Sequence, residues 1–170
     1  MVVGLAIVGA ACGGGASAGG GAPGEGKVVS VIDGDTLVVR VGGHDEHVRI
    51  IGIDTPETKK PNTPVECYGT EASHRMGELL PAGTVVRLER DREARDRYDR
   101  LLAYVYRASD GLLVEEEMLR GGYAAPLAIA PNTAHQAGFA SIAANAKSAG
   151  TGLWGVCGGN HVVGARGAGG

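Results

Sequence analysis

Val28-Val29-Ser30-Val31-Ile32-Asp33-Gly34-Asp35-Thr36-Leu37-Val38-Val39-Arg40-Val41 runs through Gly42-Gly43-His44-Asp45 into Glu46-His47-Val48-Arg49-Ile50-Ile51-Gly52-Ile53-Asp54-Thr55-Pro56-Glu57. Runs of β-branched residues separated by Asp-Gly and Gly-Gly read as strands joined by tight turns. The pattern predicts strands over 27–32, 36–41 and 46–53, which makes a meander. Prolines at 56, 61 and 64 stop regular structure beyond it. The meander leaves two acidic turns, Asp33–Thr36 and Asp54–Glu57, at its ends. Asp35 and Asp54 can then reach one end of a folded sheet, where hard oxygen donors suit Ca²⁺ or Mg²⁺ rather than zinc. Taken singly, each of these carboxylates is better explained as a turn or cap residue.

Outward from the meander the period changes. Ala72, Met76, Leu79 and Leu80 recur on one helical face, which predicts a helix over 69–80. Strands follow over 84–89 and 101–107, then helices over 114–120 and from 132 or 133 to 149. The order βββ-α-ββ-α-α is the pattern of a five-stranded OB-fold barrel, α+β and mainly β, with three helices.

The ends of the chain are different material. The 30 glycines among 170 residues are unevenly placed and crowd 13–26 and the C-terminus, so one domain over 27–157 is expected between a flexible tether and a disordered 158–170 tail. Residues 1–12 are apolar or small, too short to span a bilayer as a helix, and end in Gly9-Ala10-Ala11-Cys12. That reads as an export segment, which puts the domain outside the cell or on its envelope. Cys12 is then either lipidated, as at a bacterial lipoprotein site, or removed with a cleaved signal. Either outcome leaves Cys67 and Cys157, which in an oxidising compartment commonly pair, and otherwise remain free thiols. A bond between them ties the last segment to the loop before the first helix.

Net charge is -3, so no bulk basic field advertises nucleic acid, and any polyanion site must be local. The stretch 87–107 carries seven arginines against five acids and is mostly a self-neutralising loop. Two arginines stand apart. Strand alternation puts Arg49 on the face of Ile51 and Ile53, a poor place for a charge without a partner. Arg100 opens an apolar strand. A guanidinium beside paired carboxylates reads as a phosphate clamp or, equally, as a structural ion pair. Tyr98 can donate to phosphate or simply pack. His44, His47, His74 and His135 read as surface or packing residues, Glu115-Glu116-Glu117 as charges favouring a helix start, and Trp154 as packing the C-terminal segment on the barrel.

With these residues in place the chain resembles the staphylococcal nuclease (thermonuclease) family. The resemblance is carried by Val31–Thr36, Val48–Thr58, Glu66–Ala72, Arg97–Tyr106 and Gly152-Leu153-Trp154, in that order, over about residues 27–157. It implies an OB-fold, calcium-dependent phosphodiesterase that cuts DNA and RNA to 3′-phosphate products. By the same resemblance Asp35 and Asp54 are the calcium carboxylates and Thr55 supplies a carbonyl. Glu57 is the general base, and Arg49 and Arg100 clamp the reacting phosphate. Arg97 and Tyr98 fall in the run that meets substrate phosphate. Three positions depart from the family's founding member. Asp99 stands for a glycine, Leu127, Ala128, Ile129 and Ala130 stand in a stretch where tyrosines lie along the nucleotide, and 59–64 is less basic. Weaker base stacking is expected as a result.

These residues favour an exported nuclease, expected as a monomer that meets a membrane only through a lipid on Cys12. A non-catalytic nucleic-acid-binding OB module has no need of Glu57, Arg49 and Arg100 together. A calcium-stabilised structural domain explains the acids but not the arginines.

Overall fold

The computed structural model describes residues 24–59 and 64–159. The export segment with Cys12, residues 13–23 of the tether, residues 60–63 and residues 160–170 lie outside them. The elements in chain order are β1 (Glu25–Asp33), β2 (Thr36–Val41), β3 (His44–Ile50), β4 (Gly52–Asp54), α1 (Gly69–Leu79) and β5 (Val85–Glu89). They continue with β6 (Leu101–Arg107), β7 (Leu112–Leu113), α2 (Val114–Arg120), β8 (Ala125–Leu127), α3 (Gln136–Ser148) and α4 (Leu153–Val156).

The meander forms because its alternating residues have a core to face. Val28, Leu37, Val39, Val48 and Ile50 are all buried, while the residues between them are more exposed. β1 starts at Glu25, with Glu25 and Gly26 paired to Arg87 and Val86 of β5. Register shifts between Val28 and Ser30 and between Val31 and Asp33 bend this strand, so it pairs with β2 along one edge and β5 along the other. β5 pairs antiparallel with β6, and β6 pairs parallel with β3, Arg49 opposite Leu102. That last pairing closes a five-stranded barrel and leaves none of these strands with a free edge to manage. The expected fold is the observed one. β7 adds a short flank to β6, and β4 with β8 forms a separate two-stranded ribbon.

Ala72, Met76, Leu79 and Leu80 plug one side of the barrel as their spacing predicts, and Val114, Met118, Leu119 and Phe139 extend the same core. At about 25 cal/mol per Å² this shared apolar burial is the main favourable term holding helices to barrel.

Four features differ from the sequence reading or add to it. The strand expected over 46–53 is broken at Ile51. Gly52 adopts φ +86, and a Cβ there would sit 2.5 Å from the Phe139 ring, so backbone and packing both demand glycine. The break resets the alternation. Val48 and Ile50 point to the core, and Arg49 lies on the opposite face of β3 rather than sharing a face with Ile51 and Ile53 in an unbroken strand.

Glu115, read only as one of three charges favouring a helix start, is also 0% exposed; its Oε1 accepts the Val105 N–H at 3.0 Å. Burial pushes its carboxyl well above the usual carboxylate range. At the C-terminal end Leu153 is the fully buried residue; Trp154 is partly buried, with Lys147 Nζ 5.5 Å from its ring. Finally β7, β8 and α4 are elements that periodicity did not indicate, and α4 makes a fourth helix.

Candidate active site

The β1–β2 turn supplies the first carboxylate. Asp33 Oδ1 accepts the Asp35 N–H at 3.2 Å, an Asx-type turn that aims the Asp35 side chain inward. Asp35 Oδ1 accepts from the Thr36 hydroxyl at 3.2 Å and Oδ2 from the Thr55 N–H at 3.1 Å. Gly34 permits this contact, since a Cβ there would lie 2.7 Å from Thr55 Oγ1. The turn after β4 is thereby docked on the turn after β1, although the two are far apart in sequence.

Arg49 ties both turns together. Its Nη1 lies 2.5 Å from Asp35 Oδ2, and its Nη2 lies 3.4 Å from Asp54 Oδ1. It also donates to the carbonyls of Asp35, Ile50 and Ile53 at 3.2–3.3 Å. The face change at the β3–β4 break makes this possible: a partly buried guanidinium is met by oxygen on each of its sides.

One arginine does not neutralise the acids around it. Burial, then the charge of Asp35, pushes the Asp54 carboxyl up to about 6; Arg49 pulls it back, and Glu66 and Glu57 add to the rise. Burial and Asp35 push Asp33 to about 6 as well. Crowded, partly desolvated carboxylates of this kind have the all-oxygen donor chemistry that a hard divalent cation relieves. Among the described residues no group of three or more His, Cys, Asp or Glu side chains stands ready for a metal. The donor set is the Asp35–Asp54 pair with nearby backbone oxygens.

Glu57 follows in the same loop. Its Oε1 accepts the N–H groups of Thr58 (2.9 Å) and Lys59 (2.8 Å), which leaves Oε2 free of those bonds. Its backbone is paired with Glu66, which returns an N–H to the Glu57 carbonyl at 2.9 Å and takes the Glu57 N–H on Oε2 at 3.0 Å.

Arg100 reaches the site from the other side of the barrel seam. Asp96 holds it, Oδ2 taking Nε at 2.8 Å and lying 2.7 Å from Nη2, while Oδ1 takes the Arg100 and Tyr98 backbone N–H groups. Burial works to raise the Asp96 carboxyl, but the bonds from Arg100 outweigh it and leave it below the usual range. Asp99, at φ +63, turns the chain, and Arg95 braces that turn by bonding the Asp99 carbonyl at 2.8 Å and both oxygens of Glu46 at 2.9 Å. A cleft of about 160 Å³ is lined by Arg49, Ile51, Asp96, Arg100, Leu127 and Ile129.

The structure thus brings Asp35, Asp54, Thr55 and Arg49 into one bonded cluster and sets Arg49 and Arg100 on one cleft. Arg97 and Tyr98 do not line that cleft. Tyr98 is 65% exposed and takes the Arg97 Nη2 on its hydroxyl at 2.7 Å. Leu127 and Ile129 put aliphatic surface where aromatic stacking was expected to be missing. Cys67 and Cys157 are joined by a disulfide that ties the end of α4 to the approach to α1. His135 is a packing residue, its ring against Phe139 and Tyr104. Sequence reading missed Asp96 and Glu66 as holders of Arg100 and Glu57. For Asp96 the four-residue spacing to Arg100 was the available signal, hidden in a run of mixed charge.

The family model described as staphylococcal nuclease homologue matches residues 47–156. The thermonuclease of Staphylococcus hyicus is 44% identical over 110 residues, which cover 65% of this chain and 63% of that protein. The thermonuclease of Staphylococcus intermedius is 55% identical over 84 residues, 49% of each. Endonuclease YncB of Bacillus subtilis is 44% identical over 125 residues, 72% of this chain and 58% of the relative. The chain therefore covers less than two thirds of the length of each of these relatives.

Proposed function

Because this chain belongs to the staphylococcal nuclease homologue family, we propose that it is a calcium-dependent nuclease hydrolysing phosphodiester bonds of DNA and RNA to 3′-phosphate products. The observation that carries the reading is the double use of Arg49: it is bonded to Asp35 and Asp54 and lines the same cleft as Arg100. A module that only coats nucleic acid has no use for that convergence.

Asp35, Asp54 and the Thr55 carbonyl are the groups that would hold calcium, which when bound supplies positive charge beside the scissile phosphate. Every other step belongs to side chains of this chain. Arg49 and Arg100 donate to the phosphate oxygens and stabilise the negative charge that grows as phosphorus becomes five-coordinate. Glu57 takes a proton from the attacking water at Oε2, since Oε1 is occupied by the Thr58 and Lys59 amides. Arg97 and Tyr98 meet phosphates flanking the cleft. The aliphatic Leu127 and Ile129 give bases a surface to lie on with little discrimination among them. The enzyme acts as a monomer, and it acts outside the cytoplasm, a location in keeping with its disulfide and the apolar segment ending at Cys12. That cysteine is then either a lipid anchor or lost with the signal.

The test is to incubate the purified chain with single-stranded DNA in calcium or in chelator. Calcium-dependent shortening with 3′-phosphate ends is expected. DNA left intact in both would end the enzymatic reading in favour of a binding module.

A further inference from the structure

Glu57, like Arg100, lies on neither strand nor helix, so its placement depends on the bonds its loop makes. Among the described residues both of its backbone bonds go to a single partner, Glu66. The Glu57 N–H donates to Glu66 Oε2 at 3.0 Å, and the Glu66 N–H donates to the Glu57 carbonyl at 2.9 Å. The Glu57 carboxylate is in turn held through Oε1 by the amides of Thr58 and Lys59, whose positions follow from the direction in which the chain leaves Glu57. Orientation therefore passes from Glu66 to the Glu57 backbone, to two amides, and to the Glu57 carboxylate.

Glu66 is itself anchored by its neighbour. Cys67 is bonded to Cys157, which ends α4. α4 is fixed to the body of the protein by Leu153, which is fully buried and donates its N–H to the Gly122 carbonyl at 2.9 Å, just beyond α2. On the other side the Gly69 N–H donates to the Glu66 carbonyl at 2.9 Å, which fastens Glu66 to the first turn of α1.

We propose that Glu66 is a positioning residue for Glu57, and that the Cys67–Cys157 disulfide is the anchor that makes this positioning rigid. The proposal rests on the nuclease reading above and extends it to groups that touch neither metal nor phosphate. A side chain that merely fills space near Glu57 has no reason to spend a carboxylate oxygen on a backbone amide. Nor has a disulfide placed only for stability any reason to affect turnover apart from folding. Displacing a base by about 1 Å costs on the order of 10²-fold in rate, so the effect is large enough to read.

The experiment compares the full chain with Glu66→Ala, Glu66→Gln and a Cys67→Ser, Cys157→Ser pair. Two readouts are used: kcat and KM on single-stranded DNA with calcium, and hydrogen exchange at the Glu57 amide without it. Glu66→Ala is expected to lower kcat by roughly 10- to 100-fold with KM unchanged, and to speed exchange at Glu57. Glu66→Gln, which keeps an oxygen acceptor, recovers most of both. The serine pair loses part of kcat and shows intermediate exchange. Wild-type kcat and a protected Glu57 amide in Glu66→Ala overturn the proposal, as does a Glu66→Gln protein no better than the alanine variant. If the wild-type chain cuts nothing, the nuclease reading fails. The exchange rates then decide the Glu66 strap alone.

Discussion

Arg49 and Arg100 line one cleft, but the molecule holds them in different ways. Arg49 is fixed by the barrel: two carboxylates and three carbonyls, contributed by the β1–β2 turn, β3 and β4, surround a side chain 16% exposed. Arg100 is 31% exposed and leans on one carboxylate, Asp96, four residues earlier in its own turn. The first arginine is part of the fold's interior accounting of charge; the second is mounted on a surface turn that Asp96 and Arg95 stiffen. On the proposed reading, equal chemical roles therefore come with unequal structural roles.

That contrast is sharpest in what each loss does. Arg49→Ala and Arg100→Ala are each expected to lower kcat on single-stranded DNA by on the order of 10²–10³, as removal of one charge-stabilising donor does. Only Arg49→Ala should also lower stability, by about 1–3 kcal/mol in urea titrations without calcium, because it strips partners from partly buried oxygens. Equal stabilities for the two variants would erase the distinction. A smaller loss, roughly tenfold in kcat, is expected for Asp96→Ala, which frees Arg100 without removing it. Calcium-induced stabilisation should be unchanged in that variant, since Asp96 lies on the other side of the cleft from the acidic turns.

The smallest effect is a pH slope confined to the Arg49 side. Asp54 has a folded-state value of about 6, above its ordinary 3.8, so the folded protein binds the proton more tightly than the unfolded chain. Its contribution to stability is thus complete below about 3.8 and is lost as pH rises through 6. Without calcium, Asp54→Asn should gain on the wild type between pH 4 and 7 in denaturant midpoints. With calcium, the gain should reverse. A flat difference across that range in chelator would mean that Arg49 already compensates the acids.

The barrel and its acidic turns were legible because they depend on local signals: alternation, turn dipeptides and motifs confined to a few residues. What escaped depends on distant neighbours. Position 52, where the strand breaks, admits only glycine because the Phe139 ring of α3 lies where a Cβ would sit, and no pattern around residue 52 records that. Glu115 sits in a run of three acids whose helix rotation is set by β6. Its Oε1 meets the Val105 N–H, while its two followers face outward to Arg120. Glu66 looked like one more member of a motif, and its bond to Glu57 joins residues nine apart in the chain. The residues on the Arg49 side of the candidate site could be named from the chain, though not the face on which Arg49 lies; the ties that hold Glu57 and Arg100 could not.

The parallel pairing of β3 with β6 also sets a condition in time. Strands so far apart in the chain meet late, after the local hairpins have formed, because long loops must close first. Until Arg49 stands opposite Leu102, the acidic turns and Arg100 belong to separate fragments of structure. A nascent chain that has emerged only through β4 already carries Asp35, Arg49 and Asp54, yet has no second half of the clamp. On the nuclease reading, the cell that synthesises this protein meets an inert polypeptide, and cutting begins only when the seam closes.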